Sequence, residues 1–153
     1  MAVIGVGNML AHDDAAGLEV VRRLGERAKA AAILIHEQEG EPLALLDLWA
    51  GADAAVLVDA IHCGGATGAI HRFDATSAPL PERLRGSTST HAVGVAEAIE
   101  LARTLERLPR RIVLFGVRGT RFDAGTGLSP EVEAVVEELA DVVLREALEL
   151  RGA

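Results

Sequence analysis

Four ionisable side chains stand where predicted strands end or a predicted helix begins. Asp13 and Asp14 follow the first apolar strand, Asp59 stands at or just past the end of another, and His91 starts a helix. Asp14, Asp59 and His91 together offer two carboxylates and one imidazole, a mixed set that suits a borderline divalent ion such as nickel or zinc. Because ligands of parallel α/β sheets bind beyond the carboxyl ends of the strands, these residue types predict a metal site at that edge.

The same side chains also have structural interpretations. An acid at Asp13 or Asp14 suits the start of the following helix, where it would accept backbone N–H bonds and face the positive helix end. Asn8 would close a turn, Asp59 would anchor a strand end, and His91 would cap its helix. Spacing along the sequence leaves both interpretations open, because it does not establish that the side chains converge.

A glycine-rich loop after Asp59 contains His62 and Cys63. A thiolate there would be a nucleophile or a soft metal ligand, whereas a lone cysteine is more commonly a small buried residue. Because Cys63 is the only cysteine, an intrachain disulfide and a CxxC metal knuckle are excluded. The loop lacks the GxxxxGK[ST] pattern of a phosphate loop, and the sequence lacks the HExxH helix of ordinary zinc proteases.

Short apolar runs and amphipathic segments are the elements that must position these side chains. The runs predict β-strands at 2–6, 31–35, 54–58, 69–73 and 111–115, the fourth of them at a sheet edge. Helical spacing of apolar residues begins near positions 18, 43, 91 and 130, the last behind a predicted Ser129 hydroxyl cap. Strands that alternate with helices predict an α/β fold, with a largely parallel sheet covered on both faces.

Size and composition restrict the class of protein. The 153 residues form one predicted domain, 1–153, with half of them apolar and a formal charge of −8 at pH 7. That charge and the scarcity of aromatic side chains disfavour nucleic-acid binding. No apolar run reaches the ~18 residues of a membrane span and no basic leader precedes the first strand, so we expect a cytoplasmic protein without membrane contact. Gly5 and Gly7 begin like a dinucleotide-binding motif, but GxGxxG would need glycine where Leu10 stands.

Four motifs follow one another along nearly the whole chain. They are Gly5-Val6-Gly7-Asn8 with Asp13-Asp14 and Gly17, Val58-Asp59-Ala60, Ser89-Thr90-His91 with Gly94, and Gly127-Leu128-Ser129-Pro130-Glu131-Val132. In this order and at this spacing they resemble the hydrogenase maturation endopeptidases. The resemblance implies a three-layer α/β/α sandwich around a five-stranded, mostly parallel twisted sheet. It also matches Asp14, Asp59 and His91 to the three metal-binding positions of the family.

An activity is implied by the same resemblance: removal of the C-terminal extension from the large-subunit precursor of nickel-iron hydrogenase after nickel insertion. Nickel supplied by the substrate is the implied metal, and Asp13 and Asp59 are the candidate proton acceptors in catalysis. The alternative function is a non-catalytic binding or escort module for the nickel-loaded large subunit. Two departures from the family pattern concern the choice of partner. Relatives commonly have Asp-Gly-Gly-Thr where positions 39–42 of this chain are Glu-Gly-Glu-Pro. Positions 118–119 are Arg-Gly, where the resemblance leads us to expect an acid and a proline.

Overall fold

Strands and helices alternate along the chain in the structure, a computed structural model that describes residues 1–63, 65–85 and 90–153 but not the side chains of residues 85 and 90–93. The elements are β1 (Ala2–Val6), the 3-10 helix η1 (His12–Ala15), α1 (Ala16–Ala30), β2 (Leu34–Gln38), α2 (Pro42–Trp49), β3 (Ala54–Ile61), β4 (Ile70–Asp74), α3 (Glu82–Arg85), α4 (Thr90–Thr104), β5 (Arg111–Arg118) and α5 (Pro130–Gly152). Among the described residues, no helix combines the length and apolarity needed to cross a membrane.

The strands form one five-stranded sheet in the order β2-β1-β3-β5-β4. All neighbours are parallel except β4, which runs antiparallel to β5 at the edge of the sheet. Every residue of β1 and β3 is buried, because each of these strands has a neighbour on both sides and helices over both faces. The predicted α/β fold with a mostly parallel five-stranded sheet between helices is confirmed.

Two apolar cores lie on opposite faces of this sheet, and the alternation of side chains along β3 assigns residues to them. Val56 and Val58 belong to the core under α1 and α5. Leu57 and Ile61 belong to the other core, under α2, α3 and α4. Because side chains alternate with a period of two, Asp59 faces the α2–α4 layer together with Leu57 and Ile61.

Element boundaries differ from the predictions where the apolar pattern is not that of a central strand. β2 was predicted at 31–35 but spans Leu34–Gln38, because α1 continues to Ala30 and Ala32 makes a left-handed turn with a φ of +53°. Polar residues are tolerated in β2 since it is an edge strand. β3 continues past the predicted end at 58, so Asp59 lies within the strand rather than at or beyond its end.

Candidate active site

Two glycines, one before η1 and one in the first turn of α1, bring this segment against the carboxyl ends of β1 and β3. A Cβ on Gly7, whose φ is +155°, would lie 1.8 Å from the carbonyl oxygen of Asp14, and a Cβ on Gly17 would lie 2.2 Å from that of Val58. No side chain fits at such distances, so this close backbone approach requires glycine. As a result η1, which carries Asp14, contacts β3, which carries Asp59.

Asp14 and Asp59 are buried carboxylates at this edge of the sheet. Asp14 is 4% exposed and Asp59 is 1% exposed, and Asp59 pairs in register with Gly116 of β5. Burying an ionised carboxylate is costly unless hydrogen bonds, an opposite charge or a metal ion compensate it. Carboxylate oxygens from two separate elements are donors that a borderline divalent ion accepts, so the chemistry of this part of the predicted ligand set fits such an ion.

The third predicted ligand, His91, lies in the first turn of α4, and its side chain is outside the described residues. Asp59 nevertheless faces the layer that contains α4, as its position in β3 requires. Among the described side chains, no group of three His, Cys, Asp or Glu residues is arranged to hold a metal ion. The metal site of Asp14, Asp59 and His91 therefore stays a prediction.

Asp13 joins η1 to the loop that precedes α5. Its Oδ1 accepts the backbone N–H of Ser129 at 2.7 Å, and its Oδ2 accepts the Ser129 hydroxyl at 2.6 Å. Oδ2 also accepts the backbone N–H groups of Thr120 and Arg121 at 2.9 and 3.0 Å. Burial disfavours the charged form of Asp13, but these hydrogen bonds outweigh burial and hold its pKa below the ordinary value of 3.8. We call this arrangement of Asp13, Thr120, Arg121 and Ser129 the Asp13 clamp.

The Asp13 clamp bears on two predictions. A carboxylate that is 0% exposed, engaged at both oxygens and lowered in pKa is a weak proton acceptor, so the geometry disfavours Asp13 as the catalytic base. The Ser129 hydroxyl, predicted to cap α5, instead donates to Asp13 and makes no cap bond. Thr120 and Arg121 were missed because they contribute backbone N–H groups, which leave no signal in the sequence.

Further backbone pairing fixes the loop between β5 and α5 on η1. Ala11 and Gly125 form a parallel bridge, and the N–H of His12 donates to the carbonyl of Gly125 at 3.1 Å. The His12 ring lies between a carbonyl and a guanidinium: Nδ1 is 3.0 Å from the Gly127 oxygen and Nε2 is 3.0 Å from Arg121. A carbonyl only accepts and a guanidinium only donates, so in this geometry Nδ1 donates to Gly127 and Nε2 accepts from Arg121. Loop and η1 therefore form one unit.

His62 and Cys63 occupy the two sides of the sheet next to this unit. The His62 ring stacks on Phe122, with ring centroids 3.6 Å apart. Burial lowers the pKa of His62, the charge of Arg118 lowers it further, and the charge of Asp14 opposes both. Cys63 is half-buried against the apolar core of the α2–α4 layer, which favours the packing interpretation of this cysteine over a nucleophile.

The sheet is mostly parallel and lies between helices, and its carboxyl edge carries buried carboxylates. These features define an α/β protein with its candidate site at that edge. Comparison with known proteins gives the family. The family model described as hydrogenase maturation protease matches residues 18–146. The chain belongs to this family, and it is therefore an enzyme of the hydrolase class, an endopeptidase for hydrogenase processing.

Individual relatives agree with this assignment. The hydrogenase 2 maturation protease of Escherichia coli (strain K12) is 29% identical over 146 residues, which cover 93% of this chain and 87% of the relative. The structure of the hydrogenase maturating endopeptidase HybD from E. coli superimposes with a TM-score of 0.80 at 26% identity and covers 97% of this chain and 91% of its own. The [NiFe] hydrogenase maturation protease HybD from Thermococcus kodakarensis gives 0.72 at 28% identity, covering 96% and 97% of the two chains.

Proposed function

We propose that this endopeptidase removes the C-terminal extension from the large-subunit precursor of a nickel-iron hydrogenase after nickel insertion. In this proposal Asp14, Asp59 and His91 engage the nickel that the precursor carries. Beyond membership in the family, the supporting observation is the burial of two carboxylates from separate elements at one edge of the sheet. Such carboxylates accompany imidazoles in sites for borderline divalent ions. A cytoplasmic location, expected from the sequence, is part of the proposal.

The residues of the chain take different parts in the proposed hydrolysis. Nickel, when bound, would polarise the scissile carbonyl or a water molecule. Asp59 accepts the proton that the attacking water loses and returns it to the leaving amine nitrogen. Asp13 does not touch the substrate in this scheme. It is a positioning residue, because the Asp13 clamp fixes η1 and thereby the backbone of the adjacent Asp14.

The requirement for nickel is tested with purified precursor in nickel-loaded and nickel-free forms. We expect the loaded precursor to be cut and its C-terminal peptide to be released, while the nickel-free form stays intact. Mass spectrometry of the products measures both. Cleavage of the nickel-free precursor at an undiminished rate would refute the role of nickel. Stable binding of the loaded precursor with no peptide released would favour the escort function instead.

Carboxamide variants test the assigned residues. Asp59→Asn keeps the shape of the side chain but removes its proton acceptor, so we expect kcat to fall by roughly 10²–10⁴-fold. Asp47→Asn is the matched control, since Asp47 is an exposed carboxylate of α2. The two variants are compared at saturating precursor. An Asp59→Asn enzyme with the kcat of the control would remove Asp59 from the mechanism.

A further inference from the structure

An open cleft of about 480 Å³ lies beside the candidate site, between the loop after β1, the first turns of α1 and the end of β2. Within its wall the Asn8 side chain accepts the N–H of Leu10 at 2.9 Å, so Asn8 closes the turn as one of its interpretations predicted. The N–H of Asn8 donates to the carbonyl of Asp14 at 3.2 Å. The wall of the cleft is therefore continuous with the segment that carries Asp14.

One part of the cleft is apolar and exposed to solvent. The Leu10 side chain is 67% exposed, and Met9 and the buried Leu18 line the same cleft. Single exposed leucines are ordinary on protein surfaces, but apolar side chains that share a cleft next to a site are typical of surfaces that a ligand covers. The apolar wall thus offers a place for an apolar side chain of another molecule.

The outer end of the cleft is acidic. The guanidinium of Arg22 forms two bonds with the carboxylate of Glu37, at 2.7 and 2.9 Å, so the charge of Arg22 is compensated inside the cleft. Glu39 is exposed at the rim, and no cation among the described residues pairs with it. With a chain charge of −8, this rim attracts a cationic group.

The position of β2 in the sheet leaves the cleft open to solvent. β2 is an edge strand of the described sheet, so no further strand among the described residues closes the outer side of the cleft. A small molecule is usually held in a pocket that buries most of its surface. An open cleft between the loop after β1 and the edge strand β2 suits an extended polypeptide instead.

We propose that this cleft binds an extended segment of the precursor next to the bond that is cut, with an apolar side chain against Leu10 and Leu18 and a basic side chain toward Glu39. The inference rests on the proposed function, because it takes the precursor as the polypeptide substrate. It adds a specificity site built from the loop after β1, and it predicts which side chains of the substrate are recognised.

The decisive variant is Leu10→Ser, which removes the apolar contact without disturbing a buried residue. Because the variant loses the binding free energy that burial of a leucine side chain provides, we expect KM for the nickel-loaded precursor to rise by roughly tenfold or more, with kcat unchanged. Leu148→Ser is the matched control: Leu148 is 41% exposed on α5, outside the cleft, and its replacement leaves KM unchanged. Glu39→Lys places a cation at the rim and also raises KM, more strongly at low salt than at high salt.

Binding of the intact precursor to immobilised protein is measured as well, because it does not require turnover. If the wild type cuts the precursor while Leu10→Ser and Glu39→Lys keep its KM, the cleft inference is overturned and the proposed function stands. If the wild type binds the precursor without cutting it, a Kd weakened by Leu10→Ser but not by Leu148→Ser supports the cleft while the proposed reaction fails. Equal Kd values for all four proteins overturn the cleft inference in either case.

Discussion

Replacing Asp13 with asparagine tests whether the Asp13 clamp holds the loop before α5 in place. The amide of Asn keeps the shape of the carboxylate but has only one acceptor oxygen. In the better of its two orientations, the oxygen replaces Oδ2 and the NH₂ group faces the buried N–H of Ser129, which loses its acceptor at a cost of about 1–3 kcal/mol. The three remaining bonds lose their charge assistance. Together these losses amount to about 3 kcal/mol of unfolding free energy.

Thermal and denaturant unfolding followed by circular dichroism measure this loss. For a chain of 153 residues, about 3 kcal/mol corresponds to a fall in Tm of about 6–12 °C. Asp123→Asn is the matched control: Asp123 lies in the same loop, and its ion pair with Arg121, at 3.4 Å, is solvent-exposed and contributes little, so the Tm of this variant stays that of the wild type. If Asp13→Asn melts together with this control, the hydrogen bonds of the clamp do not stabilise the fold and the argument is wrong.

Gly94→Ala puts a methyl group 2.2 Å from the carbonyl oxygen of Gly40, so we expect the free energy of unfolding in urea to fall by about 1–3 kcal/mol. The control is Gly152→Ala, whose methyl group meets open space and leaves this free energy unchanged. Equal unfolding midpoints for the two variants would contradict the close approach of Gly94 to Gly40. Glu41→Ala removes the side chain that accepts two backbone N–H bonds at the start of α2, so we expect the free energy of unfolding in urea to fall by about 1 kcal/mol. An unchanged unfolding midpoint would show that this cap does not stabilise the fold. Because the pKa of Asp13 is lower in the folded than in the unfolded chain, its stabilisation is full above about pH 4 and is lost as pH falls through the folded pKa. The difference in the free energy of unfolding between wild type and Asp13→Asn therefore becomes smaller as the pH is lowered. A difference that grows on acidification would show that folding does not lower the pKa of Asp13.

The central strands were predictable because burial on both faces leaves a continuous apolar run. β1 was predicted with its observed bounds, and β3 and β5 were predicted with their observed starting residues. β2 was misplaced by three residues, since the apolar run 31–35 begins in the turn after α1, and the edge position of β2 admits polar residues that look like a loop. The short helix α3 was missed within a segment that reads as irregular.

The candidate site was predictable only in part. Acids at strand ends and helix starts predicted that Asp14 and Asp59 lie at the carboxyl edge of the sheet, because this placement follows from the topology of parallel strands. The environment of Asp13 was not predictable, because this side chain receives its hydrogen bonds from residues more than 100 positions away. Nothing in the local sequence distinguishes a carboxylate that organises a loop from one that takes part in the proposed reaction.

The bond between Asp13 and Ser129 closes a span of 116 positions. A polypeptide that leaves the ribosome from its amino terminus folds the first strand and helix long before this last partner has been made. A contact between residues so far apart in sequence costs more loop-closure entropy than a local contact, so we expect it to form after the local contacts. In the proposed mechanism, the position of Asp14 therefore depends on a segment that is synthesised more than 100 residues after it.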